Sequence, residues 1–372
     1  MPFCEMKPIR SDRNFRLFSR KFDINANYIY RGLILGEVIE MNIDDGLGCS
    51  LLDFYREMDL RDALDSEKQA ELYRLERGAA GEKLVVDYLE EFGQDDWQIL
   101  TNLWLYEYGL FEVDCLLLTE TAIYVFEIKN YNGDFKYANS QCYFSDDVIG
   151  HNPISQIQRC KVNLQNILLP ADIRVPVHAL LVFTGDHADI DIQDYIEDLT
   201  VLTINQLRKR IYSIAEDEQI KRGRGEHRLN HDKILRVLER GKRPSPYQPK
   251  PLTPTDQSRL RKGIKCAKCG HFDLDSTRSY LVCSCGLHEP REMAIVRTIC
   301  EYGVLNFDKE LVPSEVVNLF NHVVSVKTVK RYLAKYFKPA NTRYRTTYLN
   351  PATTFDKLFH QFEFKTSRYF KF

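Results

Sequence analysis

Residues 112–129 read EVDCLLLTETAIYVFEIK, in which two apolar runs flank the polar tripeptide Thr119-Glu120-Thr121. Apolar runs of this length, rich in β-branched and aromatic residues and separated by a short polar turn, are typical of neighbouring strands. The two runs are therefore predicted to pair antiparallel through the turn. This pairing would bring Asp114, on the first strand, beside Glu127, at the end of the second.

The residue types around these two acids suit phosphodiester hydrolysis. Glu127 and Lys129 are two residues apart, so their side chains project from the same face of the strand. The carboxylates of Asp114 and Glu127 can hold a hard cation such as Mg²⁺, with water and phosphate completing its shell. The cation would polarise a phosphoryl oxygen, and the lysine would stabilise the negative charge that develops. An ion pair between strand ends, without catalysis, would use the same residue types.

The sequence on either side predicts an α/β domain with a mixed sheet. Helical periodicity follows Gly78, and Pro153 suits the first turn of a second helix. The near-continuous apolar run at 175–183 predicts a strand that is buried on both faces. The predicted order is a helix (79–92), three strands (97–106, 111–118 and 122–129), a helix from residue 153, two strands (175–183 and 200–203) and a helix (205–217).

Four short motifs occur in the order found in a known family. They are GAAGE at 78–82, EVDCLL at 112–117, YVFEIKNYNG at 124–133 and NPISQ at 152–156. Together they resemble the NERD group, the nuclease-related domain of the PD-(D/E)XK restriction-endonuclease-like superfamily. The resemblance spans residues 75–205 and implies a restriction-endonuclease-like mixed sheet flanked by helices.

This resemblance implies a Mg²⁺- or Mn²⁺-dependent nuclease, either endo- or exonuclease, that acts on DNA or on RNA. Asp114 and Glu127 would be the metal ligands, and Lys129 would complete the catalytic group. The resemblance adds Glu82, which would complete the metal shell or hold a water, and Gln156, which would orient substrate or water. Each of these two has a plainer alternative: Glu82 can offset the helix dipole, and Gln156 can face solvent on its helix.

Four of the ten cysteines have a spacing that favours metal binding. Cys266 and Cys269 form a CxxC pair, and Cys283 and Cys285 form a CxC pair. Four thiolates are a ligand set of tetrahedral structural zinc. A glycine follows each pair, where a tight turn needs a permissive backbone. The spacing predicts a structural Zn²⁺ site in a zinc-ribbon-like module with a short hairpin at 272–282; four reduced cysteines without metal are the alternative.

The C-terminal part predicts a helical module whose last helix is basic. Helical spacing recurs at 292–302, 313–322 and 325–337, and Ser325 suits the N-cap of the last helix. Two helices joined by a short turn, with a basic second helix, resemble a helix-turn-helix, in which the second helix enters the major groove. A three-helix bundle for protein contact is the alternative. The candidate nucleic-acid contacts are Lys327, Lys330, Arg331 and Lys335.

Charge is distributed unevenly along the chain. The net charge is −2 over 372 residues, but residues 37–71 contain eleven acidic and three basic side chains, and residues 221–265 contain four acidic and fourteen basic. This change of sign suggests a local nucleic-acid contact, although a solvated charged face is the commoner cause. The predicted organisation is a helical N-terminal region (1–74), a NERD-like domain (75–220), a basic proline-containing linker (221–263), a zinc-ribbon-like module (264–290), a helix-turn-helix-like module (291–340) and a basic aromatic tail (341–372).

No apolar segment resembles a signal peptide or a membrane span, so the chain is predicted to be cytoplasmic, with no membrane partner. Its cysteines should then be reduced or metal-bound. DNA is the favoured partner, and the sequence leaves the oligomeric state open. Two rival classes remain: a non-catalytic nucleic-acid-binding or regulatory protein with a vestigial nuclease fold, and a zinc-bearing transcription factor with an unrelated first domain. The enzyme is favoured over the binding protein, because a site that only binds nucleic acid has no need for carboxylates that repel phosphate.

Overall fold

The structure is a computed structural model that describes residues 49–145, 147–225, 228–340 and 346–360. Most of the predicted N-terminal region and much of the predicted tail lie outside these ranges. The helices are α1 (Leu51–Asp59), α2 (Ser66–Phe92), α3 (Pro153–Leu168), α4 (Ile204–Gly223), α5 (His231–Gly241), α6 (Pro254–Arg259), α7 (Arg291–Leu305), α8 (Pro313–Val316), α9 (Val326–Tyr336) and α10 (Phe355–His360). The strands are β1 (Gln98–Tyr106), β2 (Leu110–Leu118), β3 (Ile123–Lys129), β4 (Gly133–Ala138), β5 (Gln141–Phe144), β6 (Asp147–Val148), β7 (Val177–Phe183), β8 (Ala188–Ile192), β9 (Leu199–Thr203), β10 (Leu274–Ser276), β11 (Tyr280–Cys283) and β12 (His288–Pro290).

A five-stranded mixed sheet lies at the centre of the first half of the described chain. Its strand order is β1-β2-β3-β7-β9, with antiparallel pairs from β1 to β3 and parallel pairs from β3 to β9. The predicted pairing of β2 with β3 is confirmed, because Leu118 lies opposite Ile123 and the register continues to Cys115 opposite Phe126. The prediction of a mixed α/β architecture is confirmed as well.

Helices cover both faces of this sheet. Tyr124 and Phe126 of β3 pack with α2 and α4, whereas Val125 between them packs with α3 and α5. This division follows from the pleat, which directs successive side chains to opposite faces. Strand β7 is apolar on both faces, as its position inside a parallel sheet region requires. The two helical layers therefore hold β3, and the acidic residue near its end, in a fixed place.

A second sheet, with strand order β6-β5-β4-β8, was not predicted. The predicted order has no strand between residue 129 and the helix from residue 153, but β4 begins at Gly133 and pairs in parallel with β8. The strands are short and largely polar, and their small core centres on Phe135, Cys142 and Phe183. Such strands give little periodicity in the sequence, which explains why they were missed.

The segment predicted as a linker, 221–263, is not continuous linker. It contains α5, whose side chains Ile234, Leu235 and Leu238 are buried with β1, β2 and α3. The many basic residues of the segment lie around this apolar stripe, so its composition resembles that of a solvated linker. Helix α2 also begins earlier than predicted, at Ser66.

A separate core joins the beginning of the described chain to its end. Phe54 and Met58 of α1 pack with Ile295 and Ile299 of α7 and with Leu333 of α9. Residues before 74 and after 291 thus share one core, although the sequence assigned them to different regions. Within the described ranges, no helix combines the length and the apolarity needed to cross a membrane.

Candidate functional site

The carboxylate of Asp114 lies where β2 and β3 separate. Their paired register ends at Cys115 opposite Phe126, and the Oδ2 atom of Asp114 accepts a hydrogen bond of 2.8 Å from the backbone N–H of Ile128. Val113 packs with α3 and α5, whereas Cys115 packs with α2 and α4, so the alternation of β2 shifts at this point. The sheet is therefore irregular at the level of Asp114.

Glu127 and Lys129 lie at the end of β3, as predicted. Glu127 is 2% exposed, and its Oε1 atom is 2.5 Å from the Nζ atom of Lys129. Apart from this ion contact, Oε1 is buried without a well-directed hydrogen bond. The Lys129 side chain is 21% exposed, so the pair reaches the surface through the lysine. A buried carboxylate oxygen with no hydrogen-bond donor of good geometry is suited to a cation.

Glu82 approaches this group from α2. Its carboxyl hydrogen-bonds to the side chain of Asn102, and burial together with the charge of Asp114 raises its pKa to about 7. Asn102 lies on β1 with a φ of 51°, a left-handed conformation that asparagine tolerates better than most residues. The structure thus brings Glu82 into electrostatic contact with the predicted metal ligands.

Glu112 is a further carboxyl of this cluster that the sequence analysis did not identify. Burial, followed by the charges of Asp114, Glu82 and Glu127, raises its pKa to about 8. The signal was present in the sequence, because Glu112 stands two residues before Asp114, and a regular strand would direct both side chains to one face. Asn102 was also missed, and no local pattern could have revealed it, because its role depends on the approach of α2.

Negative charge exceeds positive charge in this cluster. Burial raises the pKa of Asp114, and burial and the charge of Asp114 raise that of Glu127. Burial alone would lower the pKa of Lys129, but the charges of Glu127 and Asp114 raise it above its ordinary value. Four carboxyl groups (Glu82, Glu112, Asp114 and Glu127) therefore share one ammonium, so a divalent cation would relieve their repulsion.

An oxygen-only donor set is the kind that Mg²⁺ and Mn²⁺ prefer. Among the described residues, no three acidic side chains have oxygens that all lie within 4.8 Å of one another. The acidic cluster therefore fits a cation that is held by one or two carboxylates and takes water and phosphate as its other ligands. This is how Mg²⁺ is usually bound at phosphate sites.

Gln156 lies in the first turn of α3. The Oδ1 atom of Asn152 caps this helix by accepting from the N–H of Ser155 at 3.0 Å. The Gln156 side chain is half-buried, and within the described residues no hydrogen bond joins it to Asp114, Glu127 or Lys129. Its role at the site stays a prediction.

The four spaced cysteines converge, with all four Sγ atoms within 4.8 Å of one another. The Sγ atoms of Cys266 and Cys285 are 3.6 Å apart, and those of Cys269 and Cys283 are 3.4 Å apart. Zinc–sulfur bonds of about 2.3 Å in a tetrahedron separate the sulfurs by about 3.8 Å, so the quartet can bind a metal such as zinc.

The backbone around the cysteines has the form that the spacing predicts. Gly270 and Gly286, one after each pair, have φ angles of 74° and 88°. The predicted hairpin is confirmed by the antiparallel pairing of β10 with β11, and β12 adds a third strand. The Nδ1 atom of His271 lies 3.2 Å from the Sγ atom of Cys269, outside the quartet.

Helix α9 carries the four basic residues predicted to contact nucleic acid. Lys327 and Lys330 are exposed, whereas Lys335 forms an ion pair of 2.7 Å with Glu292 of α7. The guanidinium of Arg331 lies over the ring of the neighbouring tyrosine. The preceding helix, α8, has four residues and continues as a single 3-10 turn, so it is shorter than predicted. The helix-turn-helix likeness and its nucleic-acid role stay predictions.

Comparison with known proteins gives one match. Residues 77–184 match the family described as NERD, the nuclease-related domain. No curated protein and no solved structure matches the chain. The matched segment runs from α2 to the end of β7 and contains the whole acidic cluster. The resemblance seen in the sequence is thus confirmed as a family match for this segment, and its mixed α/β fold is compatible with that match.

Proposed function

We propose that this protein is a Mg²⁺- or Mn²⁺-dependent nuclease that hydrolyses phosphodiester bonds of DNA. The observation that carries the proposal is that the buried carboxylates of Asp114 and Glu127 form one charged cluster with the partly exposed ammonium of Lys129 within the NERD-matched segment. A surface ion pair would not need the additional half-buried carboxyls of Glu82 and Glu112. RNA is a second substrate to be tested.

Each residue of the cluster has a role in this proposal. Asp114 and Glu127 would hold the cation, which supplies Lewis acidity to the phosphoryl group when bound. The ammonium of Lys129 would stabilise the negative charge that develops on the phosphoryl oxygens. Glu82, with a pKa of about 7, can accept the proton of the attacking water at its carboxylate. Gln156 would orient water or substrate.

The remaining modules would support this activity. The cysteine quartet would hold a structural Zn²⁺, because a site of four thiolates leaves no open position for substrate. The exposed ammonium groups of Lys327 and Lys330 on α9 would contact phosphates, with Arg331 and Lys335 beside them. Replacing Lys327 and Lys330 by alanine should then weaken DNA binding and lower its dependence on salt, since each phosphate contact releases counterions.

A cleavage assay tests the central proposal. Zinc-loaded full-length protein is incubated with supercoiled plasmid, single-stranded DNA and RNA, with Mg²⁺, with Mn²⁺ and without added divalent cation. Asp114→Ala and Lys129→Ala should each reduce cleavage by about 100-fold or more, since each removes a group that acts in the transition state. Lys209→Ala, an exposed lysine on α4, is the matched control and should cleave normally.

Two outcomes would overturn the proposal. Cleavage that persists in both cluster variants would place any nuclease activity elsewhere. Retarded nucleic acid without cleavage under every metal condition would instead show a binding protein that uses a vestigial nuclease fold.

A further inference from the structure

An aromatic surface lies on the β1–β2 hairpin beyond the level of Asp114. Trp104 and Tyr106 are two residues apart on β1 and face away from Leu103 and Leu105, which are buried in the core. The ring of Tyr247, from the segment after α5, lies 5.6 Å from that of Trp104 at an interplanar angle of 69°. Tyr106 is 55% exposed and Tyr247 is 66% exposed, so this surface is open to a ligand.

The aromatic surface adjoins the acidic cluster. Trp104 lies directly opposite Glu112 in the β1–β2 register, and residues opposite each other share a face of the sheet. Glu112 in turn lies two residues before Asp114 on β2, so their Cα atoms are about 7 Å apart. A chain lying on the aromatic side chains would thus lead directly to the cluster.

Positive charge borders the same surface. β1 is an edge strand of the five-stranded sheet, and residues 242 and 243 run beside it. Lys242 forms a β-bridge with Leu105, and the N–H of Arg243 donates to the carbonyl of Trp104 at 2.8 Å. The guanidinium of Arg243 lies 6.0 Å from the ring centroid of Tyr106. Arg243 is exposed and belongs to the basic stretch of the sequence. Aromatic rings and a cation are therefore presented together.

We infer that Trp104, Tyr106, Tyr247 and Arg243, here called the hairpin platform, bind a single-stranded segment of nucleic acid that leads into the acidic cluster. This inference rests on the proposed function and adds the substrate class, a strand with unpaired bases. Unpaired bases can stack on exposed rings while a cation contacts the backbone, and this binding tolerates any sequence. Bases inside a duplex are already stacked on one another and could meet the platform only through phosphates.

Tryptophan fluorescence tests the platform directly. The chain has two tryptophans, and Trp97 is 4% exposed, so quenching by a bound base should come from Trp104. Full-length zinc-loaded protein is titrated with a single-stranded oligonucleotide, and with the duplex of the same sequence, without added divalent cation. We expect quenching by the single strand, its loss in Trp104→Phe, and little quenching by the duplex.

Affinity measured with a labelled oligonucleotide provides the second readout. Tyr247→Ala and Tyr106→Ala should each weaken single-strand binding by about tenfold, the usual effect of removing one stacked ring. Tyr195→Ala, which removes a tyrosine that is 90% exposed near the opposite sheet edge, is the matched control and should bind normally. Arg243→Ala should lower the slope of log affinity against log salt by about 0.7, the value for one phosphate of a single strand.

The platform and the nuclease proposal fail separately. The platform would be overturned, and the nuclease proposal supported, if the protein cleaved duplex and single strand equally well and the tyrosine variants cleaved normally. Quenching that survives in Trp104→Phe would also overturn it, as would the absence of any nucleic-acid binding. Single-strand binding that depends on the platform, without cleavage, would support the platform and overturn the nuclease.

Discussion

A Cβ atom on Gly81 would lie 2.6 Å from the Oγ1 atom of Thr184, closer than side chains approach one another. The absence of a side chain lets α2 pass against the ends of β3 and β7. Two hydrogen bonds fix that approach: Arg77 donates to the carbonyl of Asn130 at 2.6 Å, and the Asn130 amide donates to the carbonyl of Arg77 at 2.8 Å. Glu82 is the next residue on the helix, so Gly81 determines how near this carboxyl comes to the cluster.

Gly81→Ala should therefore destabilise the protein and displace Glu82. The clash should cost about 1–3 kcal/mol, which exceeds the gain of about 1 kcal/mol from alanine in a helix. Denaturant unfolding followed by the fluorescence of the buried Trp97, which packs against α2, measures the loss of stability.

Two further variants test the cause of this effect. Gly78→Ala, in the same helix, meets nothing within 4 Å and should stabilise by up to about 1 kcal/mol. Thr184→Ala combined with Gly81→Ala removes the Oγ1 atom and should recover much of the lost stability. If Gly81→Ala were as stable to denaturant as Gly78→Ala, the close approach of α2 to Thr184 would be contradicted.

The raised pKa values of the acidic cluster predict how metal binding depends on pH. Burial and neighbouring carboxylates raise the pKa of Glu82 to about 7 and that of Glu112 to about 8, from an ordinary value of 4.5. The folded protein thus holds protons that the unfolded chain releases near pH 4.5. Metal-free protein should consequently lose stability as the pH rises from about 5 to 8. A cation needs ionised carboxylates, so its affinity should rise over the same window.

Thermal unfolding with and without Mg²⁺ measures this linkage. The stabilisation by Mg²⁺ should be larger at a pH of about 8 than at about 6, because less proton release then opposes binding. Glu112→Gln removes one titrating carboxyl and should flatten the pH dependence of the metal-free protein, whereas Glu90→Gln, an exposed position on α2, should not. Equal stabilisation at both pH values would contradict the clustering of these carboxyls.

The sequence predicted the parts of the site that depend on neighbouring strands. Asp114 and Glu127 are brought together by a single turn, so local pattern and strand geometry were sufficient to pair β2 with β3. Glu82 reaches them only because α2 packs on the sheet, and its assignment therefore needed the family resemblance. The second sheet was missed because β4 pairs with the distant β8, and such pairing leaves no local signal in short polar strands.

Outside the site, the packing of α1, α5 and α7 could not be predicted, because it depends on contacts between residues far apart in the sequence. The stripe of Ile234, Leu235 and Leu238 on α5 shows that a basic segment can belong to a core, since charged residues occupy only its outer face. The shared core of α1 and α7 had no sequence signal, because the amphipathic pattern of α1 and the largely apolar sequence of α7 show that each is buried but not against what. Periodicity identifies which face of a helix is buried, but not the partner that buries it.

Loss of the zinc proposed at the cysteine quartet should loosen the C-terminal core more than the NERD-matched segment. Cys269→Ser removes one thiolate from the quartet and should reduce bound zinc from about one ion per chain to near none, because the remaining ligands no longer complete the tetrahedron. Elemental analysis measures the zinc, and hydrogen exchange measures protection in α7 and in β3. Protection should fall in α7, which packs against β11 and β12, and remain in β3.

His271→Ala is the control for this variant. Its ring nitrogen lies 3.2 Å from the Sγ atom of Cys269, but four thiolates already complete the site, so zinc should be retained. Loss of zinc in His271→Ala would make the histidine a ligand in place of a cysteine. Unchanged zinc content in Cys269→Ser would contradict the quartet itself.

A buried network of charges ties the cysteine module to α1 and α7. Arg61, in the turn after α1, is fully buried and contacts Glu57 of α1 and Glu301 of α7. Lys265, beside the first cysteine, contacts the same two acids at 2.7 and 2.6 Å. Arg297 completes the group around Glu301. Burial alone would raise the pKa of Glu301, but the three cations lower it well below its ordinary value, so it is ionised at neutral pH.

Glu301→Gln should strongly destabilise the C-terminal core, because it leaves Lys265, Arg61 and Arg297 with too little compensating charge. Breaking a buried ion pair typically costs about 3–5 kcal/mol, so protection from hydrogen exchange in α1 and α7 should fall by about two to four orders of magnitude. Asp62→Asn is the control, since it removes an ion pair with Arg261 whose partners are 69% and 56% exposed. An exposed pair contributes less than about 1 kcal/mol, so the control should change protection little. Similar effects of the two substitutions would mean that the network is hydrated rather than buried, and that it does not hold the cysteine module against the two helices.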